Sequence, residues 1–109
     1  MIVDFSKMEE KVLPSFMGGE GALRANLRVD EAGKILHGIL DPGCSIGMHT
    51  HESGYEVIYI LKGEGKVIYD GEELPLSAGM CHYCPNGHTH SLINNSGGAL
   101  EFFAVVPLK

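Results

Sequence analysis

The chain predicts an all-β fold, a small antiparallel barrel, and three observations carry that reading. Turn residues recur throughout: Gly33, Pro42-Gly43, Gly54, Gly63-Glu64-Gly65, Asp70-Gly71, Gly79, Pro85-Asn86-Gly87 and Gly97-Gly98. Consecutive stops lie about eight to eleven residues apart, the rhythm of short strands joined by turns. Between them run segments that are β-branched, aromatic or alternating. Asp70-Gly71 separates two such segments, as a two-residue hairpin turn does.

Taken in order, Asp4–Leu13 is the one stretch with a weak helical pattern. Gly21–Arg28 alternates, with Leu23, Ala25 and Leu27 on one face and Arg24, Asn26 and Arg28 on the other. Lys34–Leu40 is apolar on both faces apart from His37, and Glu56–Leu61 reads as a strand buried on both faces. Lys66–Tyr69 and Glu72–Leu76 flank the hairpin turn, and Leu100–Val106 is a last apolar strand stopped by Pro107. At 109 residues the expectation is one domain. Residues 1–20 form an N-terminal arm and residues 21–109 the barrel.

Composition narrows the function classes. The net charge is −6, and Lys and Arg total 8 without clustering, which speaks against nucleic acid and against an anionic membrane surface. No apolar run reaches the roughly 20 residues of a membrane span, and the start carries no secretion signal. Cys44, Cys81 and Cys84 are an odd number and read as free thiols in a reducing cytoplasm.

Two blocks carry the chemistry. Gly43, His49, His51, Glu56 and Gly63 spell G-x5-H-x-H-x4-E-x6-G; Gly79, Pro85, Gly87, His90 and Asn94 spell G-x5-P-x-G-x2-H-x3-N. His49 and His51 are two apart, so on a strand they face the same way with Cα atoms roughly 6.5 Å apart. That span lets two imidazoles meet one ion at about 2.1 Å. Glu56 has the opposite parity, and Ser53-Gly54 supplies a turn or bulge that can reset its facing. His90 has to arrive from a distant strand. One H-x-H or one buried histidine is common without metal. Ten fixed positions together match by chance on the order of 10⁻¹³ per placement. Nitrogen and oxygen donors with open positions suit one divalent transition ion, Mn(II) or Fe(II) foremost, then Zn(II) or Ni(II).

On these motifs the chain resembles the cupins, small jelly-roll β-barrels. Every fixed position of both blocks is filled, and the interval Glu64–Ala78 is as short as in compact bacterial members. The likeness spans Gly43–Asn94 by motif and is similar to single-domain forms called oxalate-decarboxylase-like or sugar-isomerase-like. It implies His49, His51, Glu56 and His90 as metal ligands inside an antiparallel barrel of six to eight strands. It also implies a homodimer formed through N-terminal strands. Cupin chemistry ranges over dioxygenases, decarboxylases, isomerases, lyases and non-enzymatic binders, so fold alone does not choose.

Other residues have competing readings. Cys81-His82-Tyr83-Cys84 is a C-x-x-C, but positions three apart on a strand face opposite sides, which argues against a paired redox or zinc site. Either Cys81 and Tyr83 or His82 and Cys84 face the interior, so His82, Tyr83 and Cys84 are candidate pocket residues. His88 reads first as a loop or rim histidine, and otherwise as a further polar group near the ion or a general acid/base. Tyr55 and Tyr59 read first as packing residues. Arg24 and Arg28 form a solvated strand face or, at a barrel mouth, a grip for carboxylate or phosphate. His37, between Ile35 and Ile39, reads as a core or interface histidine, and Asn94 as structural.

The function expected is a metal-dependent enzyme on a small polar or anionic molecule, a carboxylate or sugar derivative. The alternative is a non-catalytic module that binds or senses such a ligand.

Overall fold

The structure, a computed structural model, describes residues 1–108. Ten strands occur among the described residues: β1 Lys11–Pro14, β2 Ala22–Asp30, β3 Gly33–Leu40, β4 His49–Thr50, β5 Glu56–Lys62, β6 Glu64–Tyr69, β7 Glu72–Ser77, β8 Cys81–Cys84, β9 Thr89–Ile93 and β10 Leu100–Pro107. They form a six-stranded sheet in the order β1-β2-β3-β10-β5-β8 and a four-stranded sheet in the order β4-β9-β6-β7. Every pairing is antiparallel. The sheets face each other as a jelly roll. The surplus over six to eight strands comes from β1 in the arm and from the two-residue β4.

Alternation decides the core. Leu23 and Ala25 of β2, Leu36 and Leu40 of β3, Ile58 and Ile60 of β5, and Phe102 and Ala104 of β10 are buried inward from the large sheet. Val67, Leu76 and Leu92 meet them from the small sheet in one continuous cluster. Register makes the fit close. Phe102 lies opposite Gly38, where a Cβ would overlap its ring. The absent side chain lets the phenyl lie across β3, the usual reason for glycine inside a strand.

The turns follow their sequence signals. Tyr69 pairs Glu72 around Asp70 and Gly71, both at positive φ, as a type I′ hairpin requires. Pro14 and Pro75 sit on the edge strands β1 and β7, where a missing N–H breaks no ladder.

Two expectations are corrected. Asp4–Leu13 is not a helix: a 3-10 turn covers Phe5–Lys7, closed by Asp4 accepting from the Ser6 N–H and hydroxyl at 3.0 and 2.6 Å. The chain then enters β1, which pairs with β2 from Lys11↔Ala25 to Pro14↔Ala22. A short, weakly patterned segment gains more from an existing sheet edge than from an isolated helix. β5 is buried on one face only. Glu56, Ile58 and Ile60 point in, whereas Tyr59 and Leu61 are exposed outside.

Candidate metal centre

Three elements deliver the four donors. β4 carries His49, with His51 just beyond its end; β9 carries His90, paired directly across from His49. Glu56 opens β5 on the other sheet. Between His51 and Glu56 the chain passes Gly54, where a Cβ would overlap the Pro107 carbonyl oxygen. That close approach folds residues 52–55 against the end of β10 and resets the facing of Glu56. The Pro85–Gly87 turn, with Gly87 at φ +88°, packs on the same corner: the Gly87 N–H donates to the His51 carbonyl and the His51 N–H to the His88 carbonyl.

The donors converge. His90 Nε2 lies 3.0 Å from His51 Nε2, 3.1 Å from His49 Nε2 and 2.9 Å from Glu56 Oε1. Glu56 Oε1 is 3.0 Å from His51 Nε2 and 3.8 Å from His49 Nε2. Adjacent donors about 2.1 Å from one ion in an octahedral shell lie roughly 3.0 Å apart, the spacing seen in four of these five pairs. Nitrogen lone pairs aimed at one another at this range repel unless a cation or shared protons sit among them. The donor set therefore fits a divalent ion.

Hydrogen bonds on the far ring nitrogens fix the tautomers. His49 Nδ1 donates to the Gly47 carbonyl at 2.7 Å, and His90 Nδ1 meets His82 Nε2 at 2.9 Å. Burial pushes the His82 imidazole down to about 4, and the neighbouring His90 adds to this. His82 is thus neutral, and with its proton on Nδ1 its Nε2 accepts from His90 Nδ1 and leaves His90 Nε2 free toward the cluster.

Electrostatics agree. Burial disfavours a charged Glu56, yet hydrogen bonds from His49, His51 and His90 outweigh it and hold the carboxyl far below the usual range. Burial likewise works against a charged His49. Glu56 and the Gly47 carbonyl overcome it and raise that imidazole, while the positive charge of Lys34 opposes them.

A chamber of about 40 Å³ lies against the cluster, and a wider mouth of about 430 Å³ opens beyond His49 and His51. The chamber wall is apolar except for the four donors and Lys34. Phe16, Met17 and Lys34 were not among the residues singled out from sequence. Lys34 shares its face with the buried Leu36, Gly38 and Leu40, so inward phase was the available signal. Phe16 belongs to the arm, whose 3-10 turn Phe16–Gly18 folds over the chamber, with its carbonyl accepting from the Gly47 N–H.

The remaining candidates fall elsewhere. His82 and Cys84 face inward and are buried, but they lie behind His90 and not on the chamber wall. Burial raises the Cys84 thiol to about 11. Tyr83 and Cys81 are exposed on the opposite face, and Tyr83 packs edge-on against Tyr55, which takes it out of the pocket. His88 lines neither the chamber nor the mouth; it lies half-exposed, 2.6 Å from Asp70 and stacked on Tyr69. Arg24 is held by Asp41 through two hydrogen bonds and by Glu10 at 3.1 Å, and Arg28 lies 3.6 Å from Asp30. Neither arginine reaches the mouth, because their face of β2 is the outer one. His37 is also on the outer face, between Asn26 at 3.1 Å and Glu101 at 3.0 Å, and does not enter the core.

Comparison with known proteins agrees with this geometry. A family model described as Cupin domain matches residues 36–106. An oxalate-binding protein of Thermotoga maritima is 34% identical, over 99% of this chain and 94% of that protein. A crystal structure described as a predicted oxalate decarboxylase, also from Thermotoga maritima, superposes with TM-score 0.93 at 31% identity, covering 100% of both chains. A sugar phosphate isomerase from Silicibacter pomeroyi shares the fold at 19% identity and TM-score 0.82, over 100% of this chain and 76% of that one. With the family model covering most of the barrel and a relative aligned along nearly the whole chain, this protein belongs to the cupin family.

Proposed function

We propose that His49, His51, Glu56 and His90 hold one divalent transition metal ion, manganese or iron foremost, and that the protein is a metal-dependent enzyme acting on a small carboxylate. The observation that carries this is the convergence of three Nε2 atoms and one carboxylate oxygen at the spacing of a metal shell. The nitrogen-oxygen set without thiolate suits these ions. The carboxylate is supported by the 34% identical relative, which is an oxalate-binding protein.

When bound, the ion supplies a Lewis acid with positions open to a ligand's oxygens. The chain's own residues do the rest. Glu56 leaves a net positive centre, which favours an anion. The Gly47 carbonyl and His82 hold two imidazoles in the tautomer that presents Nε2. The apolar wall excludes water and so strengthens charge interactions within.

A second reading, a non-catalytic binder of the same anion, has its own observation. Beyond the four donors and Lys34, no side chain lining the chamber can move a proton. Elemental analysis and mass spectrometry of oxalate incubated with loaded protein separate the two. Loss of oxalate with a metal-dependent product identifies the enzyme; oxalate bound and recovered intact identifies the binder. Glu56→Ala and His90→Ala should each remove the metal and any turnover while leaving a folded barrel. Full metal content after both substitutions would sink the site.

A further inference from the structure

We infer that Lys34 is a specificity-determining residue, which selects a short dicarboxylate by gripping the carboxylate that projects from the metal centre toward the mouth. This rests on the metal reading above and adds to it a second anchor.

Placement comes first. Lys34 begins the inward row Lys34, Leu36, Gly38, Leu40 on β3, a central strand paired with β2 and β10 through Val29 and Val106. An inward position there is ordinarily apolar, because an ammonium must be taken partly out of water. Lys34 lines both the inner chamber and the mouth, so it stands where anything entering must pass.

Among the described residues Lys34 forms no ion pair, as Lys7, Lys11 and Lys62 form none, but it alone of these lines the chamber. Among the described residues Glu52 is the acid lining the mouth, and it forms no ion pair with Lys34. The ammonium rests instead over the Phe16 ring, 5.3 Å from the centroid. That is a weaker hold than a charged hydrogen bond to carboxylate. The arm thus parks the lysine at the mouth without neutralising it.

The metal makes this arrangement selective. Two cationic centres facing one apolar chamber repel each other, and a single carboxylate on the ion leaves Lys34 uncompensated. A dianion with carboxylates joined directly or through one carbon answers both. Lys34 lines the same chamber as the four donors, so one short molecule can meet both.

The test uses full-length protein loaded with manganese, with metal content checked by elemental analysis and ligand affinity measured by calorimetry. Oxalate and malonate are the dianions, and acetate is the monoanion. Wild type should prefer a dianion to acetate by tenfold or more. Lys34→Met should keep its metal, bind oxalate and malonate ten- to hundredfold more weakly, and change acetate affinity less than about threefold. Lys34→Arg should restore most of the dianion affinity, which a loss through misfolding would not allow. Unchanged dianion affinity in metal-loaded Lys34→Met overturns the proposal, as does an equal loss for acetate. Wild-type protein that takes up no manganese overturns the metal reading itself, and elemental analysis makes that failure visible separately.

Discussion

At the scale of single residues, the centre depends on which nitrogen of each ring carries its proton. His90 is the most constrained: its Nδ1 faces His82, and its Nε2 lies within 3.1 Å of three other donors. Removing the His82 acceptor frees the His90 ring to take either tautomer and to rotate. His82→Leu should therefore lower metal affinity roughly ten- to hundredfold in a chelator competition. His82→Gln keeps an acceptor oxygen near the same place and should recover much of the loss. Equal affinities in wild type and His82→Leu would show that His82 merely fills space. The four donors were legible in the sequence because H-x-H has one geometric meaning on a strand, and Glu56 and His90 lie at fixed distances from turn residues. His82 was visible only as half of an alternation, since sequence cannot say which face of β8 turns inward. Lys34 escaped because its segment reads as apolar on both faces, and a lysine at a strand end looks like a boundary.

Elements are fixed by turns, and Asn94 shows how much one turn side chain carries. It is fully buried, and its Nδ2 donates to the Leu40 and Gly98 carbonyls at 2.8 Å each. Its Oδ1 accepts from the Ser96 N–H and hydroxyl at 2.9 and 2.7 Å. These bonds tie the β9–β10 connection to the end of β3. Asn94→Ala would leave the buried Leu40 carbonyl unpaired along with the others. It should cost about 3 kcal/mol in urea unfolding; a loss below about 1 kcal/mol would mean that water replaces the side chain. Strand positions were readable because glycine and proline mark turns locally, by conformation alone. The arm was not, since Lys11–Pro14 becomes a strand only when the β2 edge is there to pair with it. The two-sided burial expected of β5 failed for a related reason. Tyr59 and Leu61 are apolar yet stay exposed, while Phe5 of the arm covers the same face at His37 and Phe103. Apolarity shows what a face tolerates, and burial depends on what the rest of the chain brings to it.

For the whole molecule, metal and protons compete for the same nitrogens, and this makes the stability gained from metal depend on pH. Without metal, His49 has a raised pKa in the folded state. Its contribution to stability is fully present below the unfolded imidazole value of about 6.5 and is lost as pH rises through the folded value. Glu56 is depressed, so its contribution is present above the ordinary carboxylate range and is lost only as pH falls through its low folded value. Between pH 5.5 and 8 Glu56 is therefore constant, while raised His49 makes the stripped protein less stable as pH rises and His82, depressed to about 4, makes it more stable, so the two histidines oppose each other. Metal binding strengthens as pH rises, because neutral imidazoles are needed for ligation and each pH unit below their pKa costs about 1.4 kcal/mol per proton displaced. At metal one hundredfold above its Kd, binding adds about 2.7 kcal/mol. In a domain of this size that is roughly 10–20 °C in Tm. Thermal unfolding with manganese and with chelator should show that gap at pH 8 and close to none at pH 5.5. The loaded curve should rise relative to the stripped curve across the interval. Two parallel curves would mean that the imidazoles do not bind the metal, and the convergence of His49, His51 and His90 on Glu56 would then be a proton-sharing cluster.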